Sequence, residues 1–306
     1  MPENAIQENA MPENAIQENA MPEKDMQQEV PQIRILALDL DGTLLDSEKQ
    51  LSNVNRNALA AAAKKGILVV PTTGRFFGMM PPAVRDLPFV RYAITVNGAQ
   101  VYDRETDTAI VREELPLEKA LAIMRYLDGF DVIYDCYQDN WGRMTQAMQE
   151  KAEGYAQCPH YTKMIREFRK PYPDLKDYLA VQGRDVQKIM LFARDPAVRD
   201  AIAAELPKRF DDLAVSTSTF NNLEINVASA HKGRALERFA AHFGWTLANC
   251  MAFGDGLNDL SMVRMAGIGV AMANAAPEVL AAADYVTLTN DEDGVAEALR
   301  HFAVVG

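Results

Sequence analysis

Cysteine is scarce: the 306 residues hold three, Cys136, Cys158 and Cys250, an odd number with no CxxC spacing. This excludes a disulfide framework and a thiolate zinc site, and points to a reducing compartment, by default the cytoplasm. Long apolar runs are also missing, none approaching the roughly 18 residues of a membrane span. Basic residues are in deficit, 31 Lys and Arg against 43 Asp and Glu, for a formal charge of −12. That balance argues against nucleic acid or an anionic membrane as the main partner. Residues 1–30 carry seven acids and one base, so half the charge, −6, belongs to this segment. The remainder is only mildly acidic, and affinity for an anionic substrate must come from local geometry.

What is present is enough apolar content, 48%, and enough length for about two domains and a sizeable core. The first segment stands apart: MPENAIQENA occurs at 1–10 and again at 11–20, followed by a decayed copy, MPEKDMQQEV, at 21–30. It offers almost nothing to bury and lacks the basic and apolar regions of a signal peptide, so 1–30 reads as a disordered repeat tail, either an interaction arm or an extended start.

From residue 33 strand-like and helix-like segments alternate, the pattern of an α/β fold with a mostly parallel sheet covered on both faces. Ile33–Leu38, Ile67–Val70 and Tyr92–Val96 read as buried strands, with Ser52 capping a helix between the first two and Gly66 ending it. Val101–Tyr102 and Ala109–Val111 read as a hairpin. The character changes between 115 and 222, where a separate α+β module is expected. From Leu223–Val227 onward the alternation resumes, with strands at Cys250–Phe253, Ile268–Val270 and Tyr285–Leu288. The expected organisation is a Rossmann-like core over 31–114 and 223–306, interrupted by the inserted module 115–222.

Ligands of open parallel sheets bind beyond the carboxyl ends of the strands. Those ends carry Asp39-Leu40-Asp41-Gly42-Thr43, Thr72-Thr73-Gly74-Arg75 and Gly254-Asp255-Gly256-Leu257-Asn258-Asp259. Four carboxylates on one rim, Asp39, Asp41, Asp255 and Asp259, would repel one another unless a cation sat among them, and an all-oxygen set suits Mg²⁺. Two residues apart in extended backbone, Asp39 and Asp41 face the same side, so one can attack a phosphorus centre while the other moves protons. Taken alone, each piece has a plainer reading: DxDG as a turn or half a calcium loop, Thr73 as a strand-end turn, Asp255 and Asp259 as a helix cap with its first turn. Lys232 opens a helix, where a cation is unfavourable against the macrodipole; it is either solvated or held by an anion.

Taken in order, DLDGTLLDS, TTGR, VNGA, the HKG lysine, GDGLND, AMANA, ADYVT and EDGVAEAL resemble the haloacid dehalogenase-like phosphohydrolases, and among them the Cof-type branch with a large inserted cap. The resemblance implies a Mg²⁺-dependent phosphatase of small phosphorylated metabolites, sugar phosphates foremost. It implies Asp39 as nucleophile and Asp41 as general acid and base. Asp39, the Asp41 backbone carbonyl and Asp255 would hold Mg²⁺, with Asp259 supporting the metal site. Thr73, Gly74, Lys232 and Asn258 would meet the phosphoryl group, while Arg75, Asn97 and Gly98 would lie near the substrate mouth. Two departures stand out: Ala273 replaces the usual Gly of an AMGNA-like stretch, and His231 stands where Ser is common, an ionisable group beside the phosphate lysine. In the inserted module Tyr134, Tyr137, Asp139, Asn140, Trp141, Arg143 and Lys188 are either substrate contacts or packing. A phosphomutase of the same fold and a non-catalytic phospholigand-binding protein are the alternatives. A P-type ATPase is excluded by its different nucleophile motif and its need for membrane spans.

Overall fold

The computed structural model describes residues 32–306; the tail expected at 1–30 lies outside them. The chain first lays down β1 (Ile35–Leu38) and β2 (Leu68–Pro71), joined by a helix over Asn53–Lys64. Ser52 caps that helix, its hydroxyl accepting from the Asn55 N–H, and Gly66 takes φ +82° just past its end. β3 (Tyr92–Thr95), β4 (Gln100–Asp103) and β5 (Thr108–Arg112) follow as an antiparallel three-stranded sheet. A bridge between Thr72 and Ile94 ties its first strand to the end of β2. Tyr92–Thr95 is therefore a strand, as its apolar run predicts, but it heads a separate small sheet because its own hairpin captures it.

The insertion forms a six-stranded sheet from β6 (Val132–Gln138), β7 (Trp141–Thr145), β8 (Arg169–Tyr172), β9 (Lys188–Ala193), β10 (Leu213–Ser216) and β11 (Asn222–Val227), ordered β10-β11-β9-β6-β7-β8. The resumption of the core at 223 needs correction here. β11 pairs antiparallel with both β9 and β10, so it closes the inserted sheet and the core resumes only after it. A run buried on both faces looks alike in either sheet, and only its partners distinguish the two.

The chain then adds β12 (Cys250–Gly254), β13 (Ile268–Ala271) and β14 (Tyr285–Val286), completing a parallel sheet ordered β14-β13-β12-β1-β2. Strand β1 shows why these layers form. Ile35 and Ala37 pack on one face with Leu236 and Phe239 of the helix Lys232–His242, while Leu36 and Leu38 pack on the other with Leu59 and Leu299. All four are fully buried. Alternation of period two thus serves two cores at once. Because β1 lies between β2 and β12, the chain departs to opposite sides of it, and its carboxyl end opens at a topological switch point. Among the described residues no helix is long and apolar enough to cross a membrane.

Candidate active site

Asp39 follows β1 directly, and its N–H extends the ladder by donating to the Phe253 carbonyl at 3.1 Å. The chain then turns back through Gly42 at φ +88°, a conformation costly for an L residue with a Cβ. A Cβ there would also lie 2.5 Å from Asp255 Oδ2. Gly42 therefore lets the turn pass against the second acidic loop. The Asn274 amide donates to the Gly42 carbonyl at 2.8 Å, fixing the turn from a third side.

Asp39, Asp255 and Asp259 each bring one oxygen to within 4.8 Å of the others. The buried Lys232 answers them, its Nζ standing 2.5 Å from both Asp39 Oδ1 and Asp259 Oδ1. The lysine that opens the helix Lys232–His242 thus has anionic partners, and they hold its pKa above the ordinary lysine value despite burial. Three acids against one base leave negative charge over. Burial, with Asp259 nearby, pushes the Asp39 carboxyl up to about 8 even though Lys232 opposes the shift, and burial also raises Asp255. A hard divalent cation fits this surplus and these all-oxygen donors.

The three acids differ in what they have free. Both Asp259 oxygens are engaged: Oδ1 by Lys232, and Oδ2 by the N–H groups of Asp255 and Gly256 at 3.1 and 2.9 Å. Asp259 thus shapes the turn that aims Asp255. Asp255 Oδ1 accepts from the Thr43 hydroxyl at 2.7 Å. The fourth acid corrects the expected convergence of four, since the Asp41 carboxylate stands outside the group of three. Arg75 holds its Oδ2 at 2.7 Å and Lys49 lies 3.2 Å from Oδ1. Burial would raise its pKa, but the two cations outweigh burial and keep the carboxyl below its ordinary range.

Across from the acids, two loops form one unit. The Thr73 hydroxyl accepts from the Arg75 N–H at 3.3 Å, the Asn97 N–H donates to the Thr73 carbonyl at 3.1 Å, and the Val96 N–H to the Arg75 carbonyl at 3.0 Å. Val96, Asn97 and Gly98 all have positive φ, +53°, +58° and +100°. For a β-branched valine this is strain, sustained only because the neighbouring bonds over-determine it. A Cβ on Gly98 would meet the His231 carbonyl at 2.5 Å, so the loop packs directly on the residue before Lys232. His231 serves as the helix cap, its Nδ1 accepting from the Arg234 N–H, and burial together with Arg234 lowers its pKa. It thus does the work of the usual serine as a neutral acceptor. Ala273 is exposed and outside the positive-φ residues, so its methyl is accommodated. Asn258 Nδ2 reaches Asn97 Oδ1 at 3.4 Å.

Several participants escaped the sequence reading. Thr43 and Asn274 lie inside the motifs DLDGT and AMANA without a role assigned to them there, and Lys49 sits two residues past DLDGTLLDS. Glu224, which accepts from Asn97 Nδ2 at 2.9 Å, lies on the inserted sheet. Of the inserted residues with open roles, Tyr134 and Tyr137 are buried in that sheet's core, Arg143 folds back on the Gln138 carbonyl, and Trp141 is exposed. Lys188 alone among them bonds to one of the core's motif loops, the one at 73–75.

The sequence profile of the haloacid dehalogenase-like hydrolases matches residues 36–299. The 5-amino-6-(5-phospho-D-ribitylamino)uracil phosphatase YcsE of Bacillus subtilis is 30% identical over 278 residues, covering 91% of this chain and 99% of that protein. The pyridoxal phosphate phosphatase YbhA of Escherichia coli is 29% identical over 267 residues, with 86% and 96% covered. The solved HAD subclass IIB sugar phosphatase BT4131 superposes with a TM-score of 0.72 at 25% identity, over 89% of this chain and all of that one. Fold and relatives together define a hydrolase with an α/β core and an inserted cap. The chain belongs to the haloacid dehalogenase-like hydrolases, in their Cof-type branch, and is a phosphatase.

Proposed function

We propose that the protein is a Mg²⁺-dependent phosphomonoesterase that hydrolyses a small phosphorylated metabolite, a sugar phosphate foremost, through an aspartyl-phosphate on Asp39. The observation that carries this reading is the buried Asp39 carboxylate at the end of β1, 2.5 Å from Lys232 and grouped with Asp255 and Asp259. Asp39 attacks phosphorus, forming the O–P bond as the bond to the leaving alcohol breaks, and Asp41 gives that alcohol its proton from the minor protonated fraction that Arg75 and Lys49 leave it. Asp41 then takes a proton from water as the water attacks phosphorus, releasing inorganic phosphate and restoring Asp39. Thr73, Gly74, Lys232 and Asn258 bind the phosphoryl oxygens, with Arg75, Asn97 and Gly98 at the mouth. Asp39, the Asp41 carbonyl and Asp255 would hold Mg²⁺, with Asp259 bracing Asp255. Bound there, the ion neutralises phosphoryl charge that the surplus carboxylates would otherwise repel.

The inserted sheet supplies the roof that excludes water and selects the leaving group. The substrates in the relatives' names, a phosphorylated ribitylaminouracil and pyridoxal phosphate, are small phosphomonoesters and support that class for this chain. A cytoplasmic setting belongs to the same proposal and rests on the scarcity of cysteine.

The test is phosphate release from an aryl phosphate and a panel of sugar phosphates, with Mg²⁺ or EDTA, comparing wild type with Asp39→Asn. Magnesium-dependent turnover lost in the variant is expected. Turnover that survives either EDTA or the substitution refutes the mechanism, and phosphoryl transfer between sugar positions without release would make the protein a mutase.

A further inference from the structure

One face of the inserted sheet is charged yet buried against the core. Lys188 and Glu224 lie on it as diagonal neighbours, since Glu224 pairs with Met190, two residues along β9 from Lys188. Their ion pair spans 2.9 Å and is almost wholly buried. A buried pair is a poor device for stability alone, because desolvating two charges offsets their attraction, and apolar residues of similar size do as well or better. These two have a further connection. Lys188 Nζ also donates to the Gly74 carbonyl at 3.2 Å, and Glu224 accepts from Asn97 Nδ2, so each bonds across the seam to one of the two core loops. The loops touch closely, since a Cβ on Gly74 would lie 2.9 Å from Asn97 Oδ1. Ser218 completes the network, its hydroxyl donating to Glu224 Oε1 at 2.9 Å.

We propose that Lys188 and Glu224 are positioning residues that hold the Thr73–Arg75 loop and the strained Val96–Gly98 loop in their phosphate-binding form whenever the inserted sheet is seated. The pair makes competence at the phosphate end depend on the roof, without itself touching the reacting atoms. This rests on the phosphatase reading above, and its test separates the two. The informative variant is Lys188→Met/Glu224→Met, which removes both charges together and so leaves neither one stranded in the seam.

Its melting temperature should stay within a few degrees of wild type. Its kcat/KM should nevertheless fall about tenfold or more, by the same factor for an aryl phosphate as for a sugar phosphate, because a displaced phosphate loop affects every ester. Affinity for inorganic phosphate, measured by calorimetry with Mg²⁺ present, should fall in parallel, and Lys188→Arg should retain most of both. A folded double variant with wild-type phosphate affinity overturns the proposal. So does a loss confined to sugar phosphates, which would make the pair a leaving-group contact. Phosphate affinity is read without turnover, so a wild type inactive on every ester sinks the phosphatase reading while leaving this measurement decisive. Should the double variant fail to fold, Lys188→Gln/Glu224→Gln, which also removes both charges together but stays polar, is read in the same way.

Discussion

Replacing the proposed nucleophile should abolish catalysis and stabilise the metal-free protein. In Asp39→Asn the side chain keeps its shape and loses an ionisation that burial and Asp259 oppose. The Asp39 pKa of about 8, against an ordinary 3.8, means that the folded state binds this proton more tightly than the unfolded chain does. Stability from this group is then fully present below about pH 4 and is lost as pH rises toward 8. At pH 7 some three pH units separate the solution from the unfolded value. At about 1.4 kcal/mol per unit, the ceiling on the lost stability is about 4 kcal/mol. Water entering the cleft and the loss of the Lys232 contact reduce the expected gain to about 1–2 kcal/mol, or about 2–3 °C in melting temperature for a chain of this size. The assay is thermal unfolding in EDTA at pH 5 and pH 8. The variant should melt above wild type, by a wider margin at pH 8, and Mg²⁺ should narrow the gap by stabilising wild type more. A variant that melts below wild type at pH 8 in EDTA would refute the claim that the acids are held together against their own repulsion.

Two further outcomes test other parts of the site. Gly42→Ala forces a Cβ to within 2.5 Å of Asp255 Oδ2 at a backbone φ of +88°, and should weaken Mg²⁺ binding by about tenfold or more in calorimetry while costing about 1–2 kcal/mol of stability. Arg75→Ala removes a cation that holds the Asp41 pKa down, so Asp41 should keep its proton to higher pH and the alkaline limb of kcat for alkyl phosphates should move upward. Aryl phosphates, whose leaving groups need little protonation, should show a smaller displacement.

The core was readable because its signals are local. An apolar run ends in Asp39, a serine caps Asn53–Lys64, and a glycine follows that helix; each states its own geometry. The inserted sheet was readable in outline only. Strand β7 places a buried Arg143 among its residues, and β8 reads Arg-Lys-Pro-Tyr, with a proline that its edge position permits and no alternation to mark it. The helices at Pro159–Phe168 and Leu175–Gln182 hide in the same irregular stretch. In the site, Asp39, Asp255 and Lys232 announced themselves through motif and context. Lys49 did not, since it reaches Asp41 only through a left-handed backbone at φ +61° that no spacing rule anticipates. Glu224 is the clearest omission. An acid within a buried strand signals a partner, but the sequence could not say that the partners were Lys188 and Asn97.

Strand β1 also constrains what change the molecule tolerates. Its four residues face two cores by turns, and Asp39 follows with no intervening linker. Losing or gaining one residue before Asp39 would exchange the faces, turning Ile35 and Ala37 toward the space now filled around Leu36 and Leu38, and would swing the carboxylate away from Lys232. Substitution is therefore open to this strand, while a change of length is not. The inserted sheet is freer at its β8 edge, which pairs with β7 alone, although Arg169 there keeps a buried ion pair with Asp135. Descendants of this fold that acquire new substrates should accordingly vary in length around β7 and β8 and keep the spacing from Ile35 to Asp41 invariant.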